Sequence, residues 1–179
     1  MDLSPTTPTP PNQEFIEFAQ EVFQPARTGD APMLARLLEK GLPPDMSNHK
    51  GDGLLMLAAY HGHVEATKTL LEAGAQPDRH NDMAQTPLAA SAFKGYLPIV
   101  ELLLAHGARP GFAPPGGKTP LMFAAMFNRL EILELLLAHG VDADAKSSEG
   151  LSALDLARSM GAADTAARLE AHGTDGGAA

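Results

Sequence analysis

The chain has 179 residues, no cysteine and a formal net charge of −9 at pH 7. Its acidic balance and the lack of any Lys or Arg run disfavour duplex nucleic acid as a ligand, because such a ligand requires several phosphate contacts. No apolar run approaches the roughly 18 residues of a membrane span, and no basic region precedes an apolar one at the N-terminus, so we expect a soluble, cytoplasmic protein.

Both ends of the chain are poor in residues that could be buried. Residues 1–12 are rich in Pro and Thr, which predicts a disordered tail. A proline-rich docking ligand is the alternative there, although no repeated P-x-x-P array is present. Residues 174–179 predict a second disordered tail.

The next segment carries one apolar stripe at helical spacing, with Asn12 as a candidate N-cap. The stripe consists of Phe15, Phe18, Ala19, Val22 and Phe23. Pro25 is expected to stop or kink this helix. A second helix is predicted over Pro32–Lys40, ended by Gly41. We interpret the pair as a degenerate N-terminal unit spanning residues 13–47.

The rest of the chain repeats itself with a period of about 33 residues. One series is Leu55, Leu88, Leu121 and Leu154, and another is Gly74, Gly107, Gly140 and Gly173. Each period predicts two short amphipathic helices: Thr119 can N-cap the first, Pro120 suits its first turn, and Gly140 ends the second. The turn between them holds Gly62, Gly95, Asn128 or Gly161, residue types that tolerate a left-handed backbone.

The repeats divide the chain into units at 48–80, 81–113, 114–146 and 147–173. The last unit fills its second helix with small and polar residues. Glu170 stands where the other units carry Leu71, Leu104 and Leu137. A polar outer face predicts a C-terminal cap.

Several short motifs share one register along these units. They are Thr86-Pro87-Leu88, Thr119-Pro120-Leu121, Gly62-His63, Leu70-Leu71 with Gly74-Ala75, and Leu102-Leu103-Leu104 with Gly107-Ala108. With these motifs the chain closely resembles the ankyrin-repeat family over roughly residues 15–173. The resemblance implies an all-α solenoid of about five helix-turn-helix units, joined by β-hairpin loops and closed by degenerate caps.

The chain also departs from the family pattern. The histidine of the family's T-P-L-H motif is replaced by Met56, Ala89, Met122 and Asp155, and the Thr-Pro pair by Gly53-Leu54 and Ser152-Ala153. The side-chain hydrogen bonds that the family usually makes at this turn are therefore expected to be absent or altered.

One segment looks like a phosphate-binding loop. Gly116-Gly117-Lys118-Thr119 matches its end, but Phe112 stands where the first glycine is required and no buried strand precedes it. We interpret the segment as a hairpin tip that leads into Thr119 as an N-cap.

A ladder of histidines at the ends of successive second helices raises a metal hypothesis. Its members are His106, His139 and His172. Neighbouring helices pack about 8–10 Å apart, whereas three zinc ligands must each lie about 2.0–2.1 Å from the ion, so the three cannot converge. We interpret them as last-turn histidines that interact with helix carbonyls. No metal, cofactor or catalytic constellation is predicted, and we expect a protein that is not an enzyme.

The most informative positions come just before the turn between the two helices. In the family that the chain resembles, these positions lie on the concave side and vary with the ligand. The predicted partner-binding residues are Tyr60, His61, Phe93, Lys94, Met126, Phe127 and Met160. Exposed aromatic and Met side chains are typical of binding surfaces. The alternative is that some of the rings pack between helices as core.

These observations predict a non-enzymatic protein–protein interaction module. It would bind a protein partner of unknown identity through the concave face and the hairpin tips. Two alternatives stay open: a self-association scaffold, in which the same face seals a homodimer, and a regulatory inhibitor that covers the site of a partner enzyme. A monomer is expected, with a homodimer as the alternative.

Overall fold

A computed structural model describes the backbone of residues 13–175 and the side chains of residues 21–173. The candidate cap Asn12, the tail 1–12 and residues 176–179 lie outside the described part. The described residues form ten α-helices, which confirms the all-α prediction. They are α1 (Gln13–Thr28), α2 (Ala31–Glu39), α3 (Leu54–Tyr60), α4 (Val64–Glu72), α5 (Pro87–Lys94), α6 (Leu97–Ala105), α7 (Pro120–Met126), α8 (Leu130–Ala138), α9 (Ala153–Met160) and α10 (Ala163–Asp175).

The helices form five antiparallel pairs that stack along the chain. The first helix of each pair, called the A helix here (α1, α3, α5, α7, α9), packs against the A helix of the next pair. The second, or B, helices (α2, α4, α6, α8, α10) form a parallel row behind them. One hydrophobic core runs through the whole stack from Val22 to Leu169. This arrangement confirms the predicted solenoid.

The inner A helices are more deeply buried than the B helices, because each is covered by two neighbouring A helices and by its own B helix. In α3, six of the seven residues are buried, over the continuous run 54–59. The B helix α4 instead buries a single stripe of Ala66, Thr67, Leu70 and Leu71. In α3, only the C-terminal end is therefore free to present side chains to solvent.

Short polar side chains cap most of the A helices. Thr86 Oγ1 accepts a hydrogen bond from Ala89 N at 3.1 Å, and Thr119 Oγ1 accepts one from Met122 N at 3.2 Å. Gly53 provides no side-chain cap for α3, as its replacement of the threonine predicts. The N-cap role predicted for Thr119 is confirmed.

The turn between A and B helices has the predicted left-handed conformation. The φ angles are 84° at Gly62 and Gly95, 69° at Gly161 and 54° at Asn128. A glycine or an asparagine can occupy this conformation at lower cost than other residues. The turn geometry is thus shared among the units despite the change of residue at Asn128.

The first helix differs from its prediction. Pro25 does not stop α1, which continues to Thr28. Val22, Phe23 and Ala26 are buried in the core on either side of the proline. Their burial offsets the loss of one backbone hydrogen bond, so tertiary packing extends the helix past the residue that the local sequence marks as its end.

The connecting loops contain less β-structure than the family resemblance implies. Within the described residues, the one isolated bridge joins Ser47 and Gly53. Side-chain acceptors hold the tips instead: Asn81 Oδ1 accepts from Met83 N at 3.1 Å and from Gln85 N at 3.0 Å. The tips are therefore tight turns stabilised by a polar side chain rather than paired strands.

The last helix also runs further than the repeat predicts. α10 continues through Gly173 to Asp175. Glu170 is exposed on its outer face and pairs with Arg158 at 2.8 Å. The polar face predicted for the C-terminal cap is thus present.

We expect Ser152→Ala to lower the free energy of unfolding by about 1 kcal/mol, because it removes the N-cap of α9. Ser152 Oγ accepts from Asp155 N at 3.2 Å, and Asp155 Oδ2 accepts from Ser152 N at 2.9 Å. These bonds lower the pKa of Asp155, the backbone N–H having the largest effect, which shows that they favour the ionised carboxylate.

The matched control is Ser148→Ala, in the exposed loop before the same helix. Surface substitutions of this kind usually change stability by less than about 0.5 kcal/mol. Urea unfolding of the three proteins at neutral pH measures both effects. Equal stabilities of the two variants would contradict the capping role.

Candidate functional site

The predicted partner-binding residues lie at the C-terminal ends of four consecutive A helices. Tyr60, Lys94, Met126 and Met160 are the last residues of α3, α5, α7 and α9, and His61 and Phe127 are C-caps. Phe93 precedes Lys94 in α5. We call this set the concave row. Because the A helices stack side by side, neighbouring members contact one another across the repeat boundaries.

Three phenylalanines form a cluster within this row. The ring centroids of Phe93 and Phe127 are 4.6 Å apart with an interplanar angle of 87°, and those of Phe93 and Phe123 are 6.3 Å apart at 71°. Such edge-to-face pairs contribute about 0.5–1.5 kcal/mol beyond burial. Sequence reasoning missed Phe123, although its spacing of four residues from Phe127 places both on one helix face.

These rings line a groove with a volume of about 230 Å³. One wall consists of the loop tips 83–85 and 116–118, and the other consists of the phenylalanine cluster with Met126. The two tips touch: a Cβ built on Gly117 would lie 2.5 Å from the Ala84 carbonyl oxygen. The tips therefore form a continuous wall, and the groove opens toward solvent on the concave side.

The N-terminal part of the row is cationic. Lys94 Nζ lies 5.1 Å from the centroid of the Tyr60 ring, and the rings of Tyr60 and His61 meet edge to face at 5.3 Å. His63 follows, with its ring 6.2 Å from that of His61. A lysine over a tyrosine face is a cation–π contact, which holds the ammonium group at the surface.

Partial burial lowers the pKa of His61, and electrostatic interactions with His63, Lys94 and Arg27 lower it further. The imidazole is therefore mostly neutral at neutral pH. The two permanent charges that act on His61, Lys94 and Arg27, are both positive, so this part of the concave row has a positive local field in a chain of net charge −9.

The exposure of the row lies between that of a core and that of a free surface. Tyr60 is 38% exposed and Met160 52%, while Phe93, Met126 and Phe127 are half-buried. None of them belongs to the buried core, although Phe93 and Phe127 pack on each other. Their role in partner binding stays a prediction.

The other candidate sites have structural explanations. His106 Nδ1–H donates to the Leu102 carbonyl oxygen at 2.9 Å, and His139 Nδ1–H donates to that of Leu135 at 2.8 Å. The interpretation of these two as last-turn histidines is confirmed. Lys118, from the Gly-Lys-Thr segment, pairs with Glu149 at 3.7 Å.

Within residues 21–173, no group of three His, Asp or Glu side chains is arranged to hold a metal ion. Among the helices that the structure describes, none is long and apolar enough to cross a membrane. The concave row and its groove are the candidate site.

Comparisons with known proteins agree with the fold. A family model described as ankyrin repeats in three copies matches residues 23–113, and a second, described as ankyrin repeats in many copies, matches residues 103–157. A Pseudomonas aeruginosa protein whose name describes it as an ankyrin repeat protein is 51% identical over 57 residues. That match covers 32% of this chain and 33% of the relative's length. The stacked helix pairs and the matched models together show that the chain belongs to the ankyrin-repeat family.

Proposed function

We propose that this protein is a non-enzymatic interaction module that binds a partner protein through the concave row and the groove beside it. Ankyrin repeats are generally protein–protein interaction modules. The observation that carries the proposal is the half-buried phenylalanine cluster, which lines an open groove opposite two loop tips.

A cluster of this kind is suited to receive an apolar side chain. Phe93 and Phe127 already exclude water from each other, so an inserted side chain completes the desolvation of both rings. Interface centres are enriched in aromatic and Met side chains, and a few such residues contribute most of the binding energy. The loop tips at 83–85 and 116–118 would border this centre, with Gln85 and Lys118 as its polar groups.

The proposal places the protein in the cytoplasm as a binding scaffold. Among residues 21–173, no catalytic arrangement of side chains supports an enzyme. The two groups there with shifted pKa values are explained by partial burial and nearby basic groups at His61 and by a helix cap at Asp155. A homodimer through the same face and an inhibitor that covers a partner enzyme are both compatible with the geometry. The experiments below distinguish these uses of one surface.

We expect Phe127→Ala to reduce partner affinity about thirtyfold, because truncation of a ring in an interface centre commonly costs 2 kcal/mol or more. If the ring is instead mainly core, the same change should lower the free energy of unfolding by roughly 3–5 kcal/mol. The measurement pairs thermal melting with retention of the partner in affinity capture from the native host.

Phe112→Ala is the matched control. Phe112 is also half-buried, but it lies in a loop away from the concave row, with the Arg109 guanidinium 3.6 Å from its ring centroid. This variant should retain the partner. Full retention by Phe127→Ala, or a large drop in its melting temperature, would overturn the proposed site.

Sedimentation at several protein concentrations separates the dimer from the hetero-complex. A mass that rises with concentration in the native chain, but not in Phe127→Ala, would assign the face to self-association. The activity of a captured enzyme, measured with and without this protein, tests the inhibitor role.

A further inference from the structure

The concave row changes character along the stack. One position of the row, at or just after the last residue of each A helix, changes from basic to apolar along the stack. Its residues in successive units are His61, Lys94, Phe127 and Met160. Arg27, in the preceding unit, adds a further cation near His61. The row is therefore a surface with a positive half and an apolar half, rather than a uniform apolar stripe.

The positive half lacks counterions. Among residues 21–173, the ion pairs within 4.0 Å involve the cations Lys68, Arg109, Lys118, Lys146, Arg158 and Arg168. Neither Arg27 nor Lys94 takes part in one. In a chain with 22 acidic and 13 basic residues, two cations that both act on His61, without a carboxylate partner among residues 21–173, leave room for an anionic ligand group.

We propose that the partner presents an extended acidic segment to this face. A carboxylate of the segment would lie between Arg27 and Lys94, beside His61. An apolar side chain of the same segment would enter the groove formed by Phe93, Met126 and Phe127. This inference rests on the proposed function and specifies the chemistry of the partner.

The distance between the two halves sets the spacing of the segment. The cations centre on the unit of α3, and the groove lies between the units of α5 and α7. Neighbouring helices pack about 8–10 Å apart, and an extended chain advances about 3.3–3.6 Å per residue. The carboxylate and the apolar anchor should therefore be separated by about three to four residues.

A carboxylate fits the site better than a polyanion does. The site offers two permanent cations and a histidine that favours its neutral form, whereas nucleic acid binding requires many phosphate contacts along a positive surface. The net charge of −9 would repel such a polymer at longer range. A single acidic side chain gains the local attraction without that repulsion.

The test uses the full chain as bait for displayed random linear peptides. We expect selected peptides to be enriched in Asp or Glu placed three to four residues from Leu, Phe or Met. One enriched peptide is then synthesised with a fluorescent label, and its affinity is measured by anisotropy. Replacing its acidic residue by the corresponding amide should weaken binding at least tenfold.

The protein variants give the matching result. Arg27→Glu combined with Lys94→Glu should weaken binding of the acidic peptide at least tenfold, with an unchanged melting temperature. Lys68→Glu is the control, because Lys68 lies on the exposed face of the B helix α4 and should have no effect. Charges at the rim of an interface chiefly affect association rates and salt dependence. The affinity that the doubly charge-reversed variant loses should therefore match the part of the native affinity that added salt removes.

Acidification supplies a separate readout. The pKa of His61 is lowered from 6.5, so its proton is gained only as the pH falls below that value, while the Asp or Glu of the peptide stays ionised until about pH 4. The groups that face His61 are His63, Lys94 and Arg27. Binding should therefore strengthen from pH 7.5 to 5.5, and His61→Gln should weaken this dependence while His106→Gln leaves it intact.

Several outcomes would overturn the inference. They are selection of peptides without acidic residues, failure to select any peptide, equal binding by the doubly charge-reversed variant, and preferential binding of a labelled single-stranded oligonucleotide that the same variant loses. A concentration-dependent mass abolished by the charge reversal would assign the face to a second copy and also count against it. None of these results determines whether Phe127→Ala retains the partner. That separate measurement tests the proposed function, so failure of the one is distinguishable from failure of the other.

Discussion

The stack depends on a contact between the left-handed turn of one repeat and the following repeat. At Gly62 the ring of Tyr96 lies so close that a Cβ would approach its Cζ to 2.8 Å. At Asn128 the contact is polar, because Oδ1 accepts from the backbone N–H groups of Asp164 and Thr165, both at 3.1 Å. A side chain of one unit therefore caps the B helix of the next. The left-handed backbone brings the turn near enough for such contacts, and this fixes the position of each unit relative to its neighbour.

The concave row is a consequence of that fixed spacing. Each unit from α3 to α7 contributes two adjacent residues to the concave row. With the A helices held in register, the second of these residues contacts the first one of the preceding unit. Lys94 over Tyr60 and Phe127 against Phe93 are this same contact, one repeat apart. One geometry thus produces a cation–π pair in one place and an aromatic pair in the next. The chemical identity of the surface is set by two positions per repeat, while the backbone beneath it is constant.

The repeat spacing made most of the fold predictable, because helix caps, turns and core leucines recur in one register. The stop predicted at Pro25 was wrong, since a local rule was applied where burial of Val22 and Ala26 dominates. Phe123 was missed because its position usually belongs to the core in the other units, where Leu57 and Ala90 are buried. That Arg27 forms no ion pair within residues 21–173 could not be derived from the sequence, since it depends on which side chains of separate units meet in space. Composition predicts an acidic surface, and only the fold shows where the cations gather.

Within the described residues, the groove lies at the repeat boundary that has the fewest hydrogen bonds and ion pairs between loops. Earlier boundaries each have an Asp that bonds the backbone of the next unit: Asp45 Oδ1 accepts from Gln76 N at 2.8 Å, and Asp78 Oδ1 accepts from Arg109 N at 3.0 Å. Gly111 stands at the next equivalent position and has no side chain that could accept such a bond. A hydrogen bond of this kind contributes about 0.5–1.5 kcal/mol, and an edge-to-face ring pair contributes about as much. The contact between Phe93 and Phe127 can thus replace the hydrogen bond that an Asp makes at the earlier boundaries. The rings that a partner would touch therefore also hold two repeats together, so binding in the groove and stacking of these units should be energetically coupled.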